Sequence, residues 1–186
     1  MTLRTYTRLQ LATNQLNAAV GLFVSGGDRF SVISLAGAAD VILSRLVLNA
    51  GQENFTDSVL KSEIETGGTS KTREQFGREL NDTLFINQLK HLDDDDDEYI
   101  ELDPEECAIA AILKGIANYV QLVGRKDDFV VAFLTWVKLN LDPKKYNVNC
   151  DPNWKSSCAE AQPLAAADEQ ETVCGDQGIL HVRFTK

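Results

Sequence analysis

The chain has 186 residues and 44% apolar content, enough for one core-bearing domain with an appended tail. Its net charge of −10 is local: residues 1–92 and 107–186 each carry nine acids and nine bases, and the ten acids of 93–106 supply the whole excess. That balance leaves no basic face of the kind a non-specific nucleic-acid binder uses to neutralise phosphates. No run reaches the roughly 18 uninterrupted apolar residues of a membrane helix, and the short apolar stretch 18–24 lacks the cleavage site of a secretory signal.

Taken in order, the chain reads as a row of helices. Leu9, Ala12, Leu16, Ala19 and Phe23 recur every three to four residues and predict a helix over about 6–25, broken by Gly26 and Gly27. Asp28 is placed to cap a second helix over 29–49, with Gly51 just beyond it. This helix is apolar nearly all round and is expected to be covered on several sides. Its centre, "AGAA" at 36–39, lacks bulk and invites close approach by a neighbour. A short third helix is expected over 57–65, capped by Thr56, with Phe55 stapled onto Leu60 across the cap. Thr72 and Gln75 have capping-box spacing and open a fourth, expected to run to about Leu92.

The fifth helix opens with "DPEE": Asp103 as cap, Pro104 in the first turn, and Glu106 three residues after the cap. Its expected core face is Ile109, Ile112, Leu113, Ile116, Val120 and Val123, with Gly124 closing it. Asp127 or Asp128 caps a sixth over 129–141, ended by Pro143. The fold class is therefore an all-α bundle of five to six helices over 1–141. Residues 142–186 read as an irregular tail with one strand-like alternation at 179–185.

On the fourth helix, at about 100° per residue, Asn87 and His91 fall inside the arc of Phe76, Leu80 and Leu84. An amide and an imidazole stand where leucines are expected, so they face a polar site, a satisfied core network or a subunit interface. Phe85 and Leu89 fall on the opposite side, so the helix is expected to be covered on two faces, which calls for a second copy of the chain.

"NQLKH" at 87–91 resembles the Asn-x-x-x-His part of the Arg-Asn-x-x-x-His motif of HEPN domains. The helix pair at 10–47, with the acidic Asp40 among small and apolar residues, is similar to the start of that family. The resemblance spans about residues 8–140. It implies an all-α dimer that brings two copies of the motif together in a cleft and, in active members, metal-independent cleavage of RNA with no cofactor. Carried over, Asn87 would position the phosphate and His91 would act as acid or base. Ile86 stands where the family has arginine, so the fork that stabilises the phosphorane is missing, and Lys90 lacks the planar geometry to replace it. Ile86→Arg would complete the pattern.

The expectation is a degenerate HEPN-like domain, a binding or regulatory module and a homodimer. Two alternatives are kept: a toxin-type ribonuclease using His91 and Asn87, and a structural or phage accessory protein.

The acidic run 93–98 lacks the ligand spacing of a calcium loop and reads as a solvated connector; the wider segment 93–106 is a candidate docking patch for a basic protein. Cys150, Cys158, Cys174 and His181 have no tight pair, which argues against zinc. A Cys150–Cys158 disulfide would require export, whereas reduced thiols and a cytoplasmic location are the expectation.

Overall fold

The computed structural model describes residues 2–68, 70–89 and 99–142. The chain divides into two units, Met1–Leu134 and Thr135–Lys186. Of the second, only 135–142 are described, so the expected tail and its strand at 179–185 lie outside the described residues. The architecture is all-helical, with six helices and no strand among the described residues.

Helices α1 to α5 each start where a side chain takes up orphan N–H groups of the first turn. Thr7 and Gln10 form a reciprocal capping box for α1 (Arg8–Val24). Asp28 accepts from Ser31 N at 2.7 Å and opens α2 (Arg29–Asn49). This hydrogen bond to the hydroxyl and backbone of Ser31 holds the Asp28 carboxyl below its usual range. Gly51, at φ +72°, provides the left-handed turn that ends α2.

α3 (Phe55–Glu65) is capped by Asn54, whose Oδ1 accepts from Asp57 N at 2.9 Å. Thr56 is therefore inside the helix and not its cap. Asn54 prevails because its Nδ2 also reaches Ser44 Oγ at 2.9 Å, which ties the cap to α2.

Thr72 and Gln75 make the expected capping box of α4 (Arg73–Thr83). α5 (Pro104–Val123) starts with Asp103 accepting from Glu105 N and Glu106 N, and α6 spans Asp128–Asn140.

The core of the first unit is a three-helix layer of α1, α2 and α5. The short turn after Val24 folds α2 back along α1. α2 and α5 run in the same direction: Arg29 pairs with Glu105 at their starts, Ala36 lies beside Gly115, and Asp40 meets Lys114 and Asn118 further on. The small residues at 36–39 do admit a neighbour. A Cβ on Gly115 would lie 3.0 Å from Leu16 Cδ1 and 3.7 Å from the Ala36 carbonyl.

α5 is the helix covered on all sides, with every residue of 107–119 buried. Val123 is exposed, contrary to its expected place in the core face. α2 is covered on one side only: Val32, Ala36, Leu43 and Val47 are buried, whereas Phe30 and Val41 are 48% and 58% exposed. Phe133 on α6 meets Phe23 edge-on, with 5.7 Å between ring centroids. α3 packs on α5 and carries α4, none of whose residues is buried.

Candidate functional site

The fourth helix does not reach the motif. It ends at Thr83, and the chain turns at Phe85, which has φ +55°. Phe85 N donates to Asp82 O and Ile86 N to Asn81 O, both at 3.0 Å. These paired bonds are a Schellman closure with phenylalanine in the left-handed position usually held by glycine. A side chain there costs roughly 1–2 kcal/mol.

The offset comes from the next residue. Ile86 is 2% exposed and fills the notch left by Gly37, where an added Cβ would sit 2.6 Å from Ile86 Cγ2. Burying an isoleucine side chain contributes about 1.5–3 kcal/mol, enough to hold the strained turn.

Two expectations change as a result. Asn87 is not on the apolar stripe of a helix. It lies past the turn, half-buried, and its Nδ2 donates to Asp82 Oδ1 at 2.8 Å. Phe85 and Leu89 are not on α4 either, so the argument that one helix has two covered faces no longer holds. His91, Lys90 and the run 93–98 lie outside the described residues.

A second polar constellation lies between the layers. Asp40 on α2 is 3% exposed, Lys114 on α5 is 2% exposed and Asn118 is fully buried. Lys114 Nζ donates to Asp40 Oδ2 at 2.5 Å and to Asn81 Oδ1 at 2.7 Å. Asn118 Nδ2 donates to the other carboxylate oxygen at 2.7 Å, and Asn118 Oδ1 accepts from Phe55 N at 2.8 Å. The network joins α2, α5, the start of α3 and the end of α4. Both carboxylate oxygens and both amide ends of Asn118 are engaged.

Charges sealed from water and paired in this way fix a geometry. They do not present a nucleophile or a base to a substrate. Sequence reasoning singled out Asp40 but missed Lys114, Asn118 and Asn81. A signal was available: Lys114 and Asn118 stand four apart, hence on one face, in an otherwise apolar stretch of α5.

Tyr119 and Cys107 are the other buried titratable groups with a shifted hydroxyl or thiol, and neither is activated. Tyr119 Oη donates to Asp127 Oδ2 at 2.5 Å. Burial first, and the hydrogen bond to Asp127 second, push its hydroxyl up to about 12. Cys107 is a buried free thiol, pushed up by burial and then by Asp103 and Glu106, the reverse of what activates a nucleophile.

Part of the acidic segment is structural. Asp103 caps α5, and Glu105 holds Arg29, whose guanidinium also donates to Phe23 O and Gly27 O and lies 4.3 Å from the Phe23 ring centroid. No group of three metal-ligating side chains occurs among the described residues. The candidate zinc and disulfide residues Cys150, Cys158, Cys174 and His181 are outside them. Compared with protein-family models, curated proteins and solved structures, the chain gives no match.

Proposed function

We propose that the chain is a non-catalytic binding or regulatory module of the HEPN-like kind, working as a homodimer in the cytoplasm. Ile86 carries this reading. The position that the family pattern gives to arginine is held by a side chain 2% exposed and wedged against Gly37. A guanidinium built there would enter the core between α2 and the turn, away from water and from any phosphate. Ile86→Arg is therefore expected to destabilise the turn, not to restore an active site. The Asn87 amide supports the same reading, because its Nδ2 is engaged by Asp82.

The test is RNA cleavage by the purified full chain in the presence of a chelator. No cleavage is expected, and His91→Ala should change nothing in that assay. Cleavage that persists without metal, and that His91→Ala abolishes while the circular dichroism spectrum stays native, would overturn the reading in favour of a ribonuclease using His91.

A further inference from the structure

The buried network between α2, α5 and the end of α4 brings together three groups that can react with one another. Lys114 carries an amine, Asn81 a carboxamide, and Asp40 a carboxylate able to move protons between them. Lys114 Nζ donates to Asn81 Oδ1 at 2.7 Å and to Asp40 Oδ2 at 2.5 Å, so one nitrogen touches both partners. With a C=O bond of about 1.23 Å, Nζ lies no more than about 3.9 Å from Asn81 Cγ, close to the roughly 3–3.5 Å of a near-attack arrangement. We infer that Lys114 and Asn81 form an intramolecular isopeptide bond with Asp40 as the acid–base group, and that the ion pair described above is its unreacted state. This chemistry goes beyond the proposed function and needs neither a ligand nor a second chain.

The step balances within the site. Asp40 Oδ2 takes a proton from the Lys114 ammonium, which leaves an amine and a carboxylic acid side by side. The Nζ lone pair attacks Asn81 Cγ, and the acid supplies a hydrogen bond to the developing oxyanion at Oδ1. The Nζ–Cγ bond forms, the Cγ–Nδ2 bond breaks, and Nδ2 departs as ammonia with a proton relayed by Asp40. Of the three protons on Nζ, one stays on the new amide, one leaves with the ammonia and one remains on Asp40.

Three features favour the reaction. The amine and the acid are sealed, with Lys114 and Asp40 2% and 3% exposed, whereas Asn81 is half-buried and gives the ammonia a way out. The product is neutral, so a buried ion pair is relieved of its desolvation cost. The electrophile is also held in place: the backbone carbonyl of Asn81 accepts from Ile86 N at 3.0 Å, in the turn that Ile86 locks against Gly37. Asn118, the other amide of the network, is turned away, since its Oδ1 accepts from Phe55 N at 2.8 Å. The bond would join α4, none of whose residues is buried, covalently to the helix buried throughout 107–119.

The experiment is the intact mass of the purified full chain, fresh and after days of incubation, for wild type, Asn81→Ser and Asp40→Asn. Wild type is expected to be lighter than its sequence by about 17 Da, the mass of ammonia, in a fraction that grows with incubation until complete. A tryptic digest should then contain a peptide uncut at Lys114 and joined to the peptide carrying Asn81. Asn81→Ser should abolish both signals while the circular dichroism spectrum stays helical. Asp40→Asn should slow the mass loss by at least about a hundredfold.

A wild-type mass that stays at the sequence value, with no joined peptides, would overturn the inference. So would a loss that persists in Asn81→Ser, or a loss of about 18 Da joining Lys114 to Asp40, which would make the carboxyl and not the carboxamide the electrophile. Formation at an undiminished rate in Asp40→Asn would overturn the acid–base role of Asp40. Should Asp40→Asn fail to fold, the wild-type mass, the joined peptide and Asn81→Ser decide the matter.

Discussion

α5 and α4 are held in place by opposite means. α5 is buried without interruption over 107–119, whereas α4 has no buried residue at all. α5 owes its position to apolar surface withdrawn from water on every side, and α4 to a handful of discrete ties. Its cap is Thr72. Arg73 pairs with Asp57 and Lys71 with Glu79 on its exposed side, and Asn81 reaches Lys114 across the layer. Just beyond its end, Ile86 anchors the chain in α2. A helix held by point contacts is indifferent to most of its surface and sensitive at a few atoms, while a helix held by burial is sensitive nearly everywhere. Ile86, in the notch at Gly37, is the main anchor of the described part of the segment that follows α4.

The largest effect is expected where the two regions share a residue. Lys114→Met strips the buried Asp40 carboxylate of its cation and Asn81 of its donor, and should cost about 3–5 kcal/mol in urea unfolding. Adding Asp40→Leu should recover part of the loss by removing the stranded charge. A cost under about 1 kcal/mol would mean that α5 is placed by apolar burial alone and that the network is incidental.

The plug comes next. Ile86→Ala should cost about 2–5 kcal/mol and Gly37→Ala about 1–3 kcal/mol, the first by leaving a void and the second by overfilling the same notch. Together they should cost clearly less than the sum, because the new methyl occupies space the isoleucine has left. Strict additivity would show that the notch and the plug do not meet.

A smaller effect concerns the end of α5. Tyr119 stays protonated in the folded state up to about 12, against 10.0 for the free side chain. The unfolded chain loses this proton first. Stability attributable to Tyr119 is therefore fully present below pH 10 and is lost as the pH rises towards 12, on the order of 1 kcal/mol after solvent screening. The difference in urea midpoint between wild type and Tyr119→Phe should change only across that window. The smallest effect belongs to the surface of α4. Arg73→Ala breaks an ion pair half open to solvent and should shift stability by no more than about 0.5 kcal/mol, diminishing with salt. A loss of 2 kcal/mol or more would place α4 among the elements held by burial.

Much of this frame is legible in the amino-acid sequence because it rests on local chemistry. Asp28 before α2, Asp103 and Pro104 before α5, Thr72 with Gln75 before α4, and glycines after α2 and α5 all act within a few residues of themselves. The end of α4 is not legible for the opposite reason. Nothing between Leu84 and Leu92 is a glycine or proline, and Asn87 and His91 prolong the helical spacing. The helix ends because Ile86 finds a vacancy in α2, some fifty residues earlier in the chain. The same holds for the Asp40–Lys114 pair: each partner is visible as an odd charge in an apolar helix, but only the parallel packing of α2 and α5 brings them together. The exposed side of α2 belongs with these, since an all-round apolar pattern does not say how much of the helix its neighbours in the chain cover.

The shared direction of α2 and α5 has a consequence for how the chain folds. Parallel neighbours cannot be joined by a tight turn, and here the whole of 50–103 is spent between the end of one helix and the start of the other. The α1–α2 hairpin closes over a short loop and can form on the microsecond scale of local structure, whereas the Asp40–Lys114 contact spans 74 positions. Docking of α5 is thus expected to be the slow event of folding, and the loop-closure entropy it must overcome grows only logarithmically with the length of 50–103, by about 0.6 kcal/mol for each doubling. The intervening segment should therefore tolerate changes in length at little kinetic cost, with the α1–α2 hairpin expected to form before α5 docks on it.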